Sequence, residues 1–309
     1  MGEKREWSPL GMENESRGSL YDGIPSFMRN SVAHWSVDAE QILCCQYPNV
    51  HFLDVNLRKE LIEEFERKSR VASILIFTST DDAFSNIEWV DSFGLKYVDY
   101  LVHKLDEYRT GWEAGYPEPE LIDQYILDLD DILEESGSRW KIGWREGYAG
   151  LEERVEPAMQ DMADDAMDDS NETSSRLLSK AWHALFGQNP NYSLAYSTAI
   201  KAVEAVAIPM VSPRDLDCTL SKAAQVMRDQ GWGFELEPNP AGKVDGGIVQ
   251  VIMNAMMNSQ PDRHGGAASA EDAEVSKERA EAAVYSAVYL IQCFKSGLVL
   301  PPKKRIDEV

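Results

Sequence analysis

The chain has 309 residues, with 30 Lys plus Arg against 53 Asp plus Glu, a formal charge of −23; 43% of it is hydrophobic and 9% aromatic. No run approaches the roughly 20 unbroken apolar residues of a membrane span, which argues against a membrane protein. The excess negative charge repels a nucleic-acid backbone over most of the surface, so any contact with RNA must be local, and no helix carries the basic residues that read DNA.

At about 150 residues per domain, the length predicts two domains. The N-terminus lacks the apolar stretch of a secretory signal, and four cysteines without a C-x-x-C pair fit reduced, mostly buried thiols, so the expected location is the cytoplasm. In the first 155 residues, expected to form a sensor or regulatory domain, Leu57 to Lys68 is helical by composition. The run from Ile87 to Tyr108 places Trp89, Phe93, Tyr97, Leu101 and Leu105 on one helical face, and Pro119 to Glu135 predicts a further helix. Ser73 to Thr78 fits a strand or a continued helix equally. Arg139 to Glu153 alternates Trp140, Ile142 and Trp144 ahead of Gly147 and predicts a small β-hairpin.

From Glu152 to Glu172 nine acidic residues face Arg154 alone. Such a block repels itself and solvates readily, so residues 156–172 are expected to be an acidic linker, and their carboxylates miss the alternating spacing and turn glycine of a calcium loop. Residues 173–309 then predict a helical domain with a bundle of about five helices. The first starts at Thr173 or Ser174 and stops at Gly187. A nearly all-apolar second helix runs from Leu194 to Ile208 and ends at Pro209, as suits the middle of a bundle. The third opens at Ser212-Pro213-Arg214-Asp215 and closes at Gly231. A fourth covers Ile248 to Met257, and the last, from about Ser276 to Lys295, repeats Ala280, Val284, Ala287, Ile291 and Phe294 along one seam. The fold class is therefore mainly α, with an α-rich N-terminal domain and one small hairpin.

No P-loop, G-x-G-x-x-G after a strand, G-x-S-x-G elbow or H-E-x-x-H appears, and no cofactor is expected. One polar island, Asn258 to Gly266, lies between two apolar helices and sets Arg263 beside His264. A fixed guanidinium can hold a phosphate while an imidazole moves a proton near neutral pH, which is what cleavage of RNA through its 2′-hydroxyl needs. Equally, the histidine can cap the preceding helix while the glycines make a turn. Glu204 shares a polar strip with Ser197 and Lys201, where an i, i+3 pair with Lys201 explains it as well as a catalytic role does. His34, His103 and His183 read as packing or surface residues. His34, His51 and Cys44-Cys45 match no zinc spacing, so no metal site is expected. The eight tryptophans, concentrated in the N-terminal half, suit a core or a partner surface. Lys303-Lys304-Arg305 suits a solvated tail or a local steering patch for RNA.

Leu177 with Ala181-Trp182, Ala199 to Glu204, Asp262 to Gly265 and the run from Ala280 to Phe294 together resemble the C-terminal domain of abortive-infection proteins, a HEPN-like helical module of ribonuclease type. Gly137 to Trp140 and Leu151 to Val155 resemble the join between that module and the N-terminal region in actinobacterial or phage versions. The resemblance covers roughly residues 137–297. It implies an anti-phage toxin that cleaves RNA without a metal, acting as a homodimer and triggered by a phage or host protein. Carried over by position, His264 is the catalytic histidine, Arg263 the phosphate-contacting arginine, Asp262 its polar neighbour and Glu204 the acidic residue on an early helix. The chain departs from the family pattern, which puts arginine four to six intervening residues before the histidine, where Met257, Asn258 and Ser259 stand here. The alternative implied by that departure is a catalytically inactive dimerisation or interaction protein that binds a phage or host protein.

Overall fold

The computed structural model describes residues 20–44, 54–71, 87–111, 118–145, 147–168, 172–235, 247–258 and 275–302. It is mainly helical, as the apolar periodicity predicts, with ten helices and four short strands among the described residues. The chain divides into two compact units, Met1–Arg154 and Val155–Val309.

The first unit contains α1 (Arg29–Leu43), α2 (Val55–Ser69), α3 (Ile87–Thr110), α4 (Pro119–Glu135) and a hairpin of β1 (Trp140–Arg145) and β2 (Tyr148–Glu153). Helix α4 forms where expected: proline occupies its first turn, and Ile122, Ile126, Leu129 and Leu133, spaced four, three and four apart, are wholly buried. Each such side chain withdrawn from water contributes about 1.5–3 kcal/mol. Helix α2 starts at Asp54, whose side chain accepts from the backbone N–H groups of Asn56 (2.8 Å) and Leu57 (3.3 Å). Helix α3 is broken at Gly94, where φ is 50° and ψ −140°. Helix α1 was not expected. Its buried residues Val32, Trp35 and Ala39 are diluted by polar neighbours, and no side chain caps its start.

The hairpin pairs Ile142 with Leu151 and Gly143 with Gly150. Helix carboxylates satisfy N–H groups that its own ladder does not use. Asp99 on α3 accepts from Leu151 N–H (2.7 Å), Asp106 on α3 from Ala149 N–H (3.1 Å), and Asp130 on α4 from Ile142 N–H (2.8 Å). Gly143 is dictated by contact: a Cβ there would lie 2.1 Å from the carboxyl carbon of Glu152, a fully buried side chain. Deeper in the unit, Glu40 accepts from Arg58 Nε (2.7 Å) and the Tyr97 hydroxyl (2.6 Å), tying α1 to α2 and α3. Burial raises the Glu40 carboxyl above its ordinary range despite the opposing pull of Arg58, and burial with the nearby Glu40 charge pushes the Cys44 thiol up to about 12.

The second unit contains α5 (Pro157–Met167), α6 (Glu172–Phe186), α7 (Tyr192–Val211), α8 (Leu220–Gln230), β3 (Gly233–Phe234), α9 (Ile248–Asn258), α10 (Lys277–Lys295) and β4 (Val299–Leu300). Helix α7 packs against α6, α8 and α10. Its alanines at 195, 199, 202 and 207 are buried, and the Ser174 hydroxyl of α6 donates to Ala202 O at 3.0 Å. By length and composition α7 is the one described helix long and apolar enough to cross a membrane, but Lys201 and Glu204 interrupt it, so no unbroken apolar run is present, and half of that stretch is buried inside the unit as in the core helix of a bundle. It also continues past Pro209 to Val211, because Val211 is itself buried in the core and holds the last turn in place.

Two further expectations are corrected. The acidic stretch read as a linker contains α5, since Ala163 and Ala166 bury against the bundle while the carboxylates project outward. Lys295 Nζ on α10 donates to Asp165 O (2.5 Å) and Asp168 O (3.0 Å), placing a cation at the negative end of α5. The helix expected to open at Ser212 begins at Leu220 instead. Residues 212–218 form turns, with Asp215 N–H donating to Ser212 O (3.1 Å), because their one large apolar side chain, Leu216, is 99% exposed and nothing draws them into the core. Helices α8 and α10 both end in a left-handed glycine, Gly231 (φ 76°) and Gly297 (φ 69°), followed by a bond from Trp232 N–H to Met227 O and from Leu298 N–H to Cys293 O. The two chain reversals meet in the β3–β4 pairing of Phe234 with Val299.

Candidate functional site

Of the four residues expected to form the site, Asp262, Arg263 and His264 lie outside the described residues, as do residues 73–78, Cys45, His51 and the Lys303–Arg305 cluster. What is described are the two helix ends between which residues 259–274 run. Helix α9 ends at Asn258, and the buried Tyr196 hydroxyl of α7 donates to Met256 O in its last turn. Helix α10 begins after Ser276, whose hydroxyl accepts from Arg279 N–H at 3.3 Å. Bonding to the backbone and to Ser276 lowers the Glu278 carboxyl, which sits in the positive first turn of that helix.

Glu204 is half-buried on α7, and its Oε1 accepts from Leu220 N–H at 2.8 Å. Leu220 is the first residue of α8, and the Thr219 side chain accepts from Lys222 N–H at 3.4 Å. The carboxylate therefore satisfies one of the N–H groups that a helix start leaves without an internal partner, and it fixes where α8 meets α7. No ion pair between Lys201 and Glu204 is present among the described residues; the partner of Glu204 lies sixteen positions along the chain.

Of the other described histidines, His34 and His183 are exposed and His103 is half-buried. The His103 ring lies 5.7 Å from that of Tyr148, and the His183 ring lies against Gly187, within 3.2 Å of where a Cβ would stand. Among the described residues no group of three or more His, Cys, Asp and Glu side chains is arranged to hold a metal ion.

A second constellation, which the sequence alone did not single out, lies on the first unit. The Arg109 guanidinium stacks over the Trp144 ring at 4.7 Å and is held by Asp106 (2.6 Å) and Asp123 (3.3 Å). Trp144 remains 39% exposed. In the sequence Trp144 stands as part of the hairpin alternation and as one tryptophan among eight, and its neighbours here come from α3 and α4, so local periodicity could not assemble the group. The run of seven carboxylates without a cation in α4 was legible.

No family model matches the chain, and neither a curated protein nor a solved structure does.

Proposed function

We propose that the chain is an anti-phage protein of the abortive-infection type, whose second unit is a HEPN-like helical module acting as a metal-independent endoribonuclease. One observation carries this reading: Arg263 stands next to His264 in the segment that joins α9 to α10. The anchoring of both flanking helix ends, by Tyr196 and by the Ser276 cap, supports it by giving that segment fixed points of departure.

In this reading Arg263 holds a phosphate of the RNA, with Asp262 as polar neighbour. The His264 imidazole takes the proton from a ribose 2′-hydroxyl as its oxygen attacks the adjacent phosphorus to close a 2′,3′-cyclic phosphate; the bond to the 5′-oxygen breaks, that oxygen takes a proton from water, and the imidazolium returns its proton to the resulting hydroxide. RNA reaches the site by local contact in the cytoplasm, two copies of the chain form the active assembly, and a phage or host protein is the trigger read by the first unit. Glu204 is left out of the proton transfer, because its carboxylate is engaged at the start of α8.

The test is expression during phage infection. Wild-type protein arrests growth and degrades cellular RNA, while His264→Ala and Arg263→Ala do neither. Equal harmlessness of wild type and His264→Ala, with intact RNA in both, refutes the nuclease reading.

A second reading is a catalytically inactive interaction protein that binds a phage or host protein. The structural use of Glu204 and the charge of −23 favour it. It requires that phage resistance survive His264→Ala unchanged.

A further inference from the structure

The outward face of α4 sets an exposed leucine among carboxylates. Its inward residues are buried, while Leu127 is 49% exposed among Glu120, Asp128, Asp131 and Glu134. Leu127 stands four residues after Asp123 and three before Asp130, so the three share a helical face. Asp123 reaches Arg109, on which Trp144 stacks, and Asp130 accepts from Ile142 N–H two residues away along β1. An exposed leucine and an exposed tryptophan therefore border one strip of carboxylates.

We infer that this face of the first unit docks a basic amphipathic segment of another protein, one presenting apolar side chains with lysines or arginines around them. Charge complementarity selects that occupant. Asp123 and Asp130 already meet Arg109 and Arg154, but Glu120, Asp131 and Glu134 around Leu127 face no cation on α4 itself, so this part of the strip attracts lysine and arginine, whereas the phosphates of RNA meet like charge there. Trp144 supplies the large, rigid, partly polar side chain that anchors protein interfaces, and Leu127 the adjoining apolar contact. The inference is independent of the nuclease reading, since it concerns neither Arg263 nor His264.

The experiment measures anisotropy of a labelled amphipathic peptide, leucines on one face and lysines on the other, against the full chain near physiological ionic strength. Leu127→Ser changes an exposed side chain and no charge, and it weakens binding about tenfold, as does Trp144→Ala. Asp131→Lys, on the strip, weakens it about tenfold or more, while Asp161→Lys on α5, with the same change of charge, weakens it less than about twofold. Helical content by circular dichroism verifies the fold of each variant. Wild-type affinity in Leu127→Ser, or equal losses for Asp131→Lys and Asp161→Lys, overturns the inference, because binding then follows net charge alone. A labelled single-stranded RNA that binds wild type and is lost in Trp144→Ala overturns it in favour of nucleic acid.

Discussion

Replacing Glu204 separates the two roles that its position allows. A carboxylate bonded to the first N–H of a helix makes a charge-assisted hydrogen bond in the positive end of the helix dipole, and at 2.8 Å the contact with Leu220 N–H is well formed. Glu204→Ala removes the acceptor from a half-buried site and leaves that N–H in need of another partner, at a cost of about 1–2 kcal/mol. For a cooperative unit of about 150 residues this lowers Tm by roughly 3–6 °C. Glu204→Gln keeps an amide oxygen at the same reach and loses only the charge, so the expected loss is about 0.5 kcal/mol and a shift of at most about 2 °C. Calorimetry of the three proteins at neutral pH measures both differences, and the same variants are scored for growth arrest. A capping role predicts graded stability, wild type above Gln above Ala, with growth arrest retained in Glu204→Gln. The reasoning is refuted if Ala and Gln are equally stable, or if Glu204→Gln abolishes growth arrest at wild-type stability, since the carboxylate would then be serving chemistry.

Two other outcomes follow from the first unit. Gly143→Ala forces a methyl group onto the buried Glu152 carboxylate and destabilises the unit by about 2–3 kcal/mol in chemical denaturation; the penalty shrinks when Glu152→Ala is made in the same chain, and simple additivity of the two would refute the contact as its cause. Because burial raises the Glu40 carboxyl above its ordinary 4.5, the folded chain binds that proton more tightly than the unfolded one, so the contribution of Glu40 is fully present below 4.5 and is lost as pH rises through its folded value. Wild-type stability measured against Glu40→Gln therefore declines from acid toward neutrality, and a flat difference over that range would contradict the assignment.

The parts of the fold that were legible in the sequence are those fixed by neighbours along the chain. Proline at the start of α4 and its apolar spacing, the Trp140–Ile142–Trp144 alternation of the hairpin and the apolar seam of α10 each carry their own instruction. What escaped depends on residues far apart. Helix α5 looks like a solvated linker until Lys295 and Gln292 of α10 reach its carbonyls, 127 to 130 positions away. The Ser-Pro-Arg-Asp motif at 212–215 has the composition of a helix start, but burial decides, and Leu216 buries nothing. The candidate site divides the same way. Glu204 was visible as a polar residue on an apolar helix, yet its partner was sought one turn away on α7 and lies on α8. The grouping of Arg109, Asp123 and Trp144 needs three elements brought together and left no trace in local spacing.

The bonds from α10 to α5 have a consequence for synthesis. The second unit opens with the helix that its final helix must secure, so a ribosome has to deliver Lys295 before the opening helix can settle. A message cut short before that codon yields a product whose opening helix lacks these bonds.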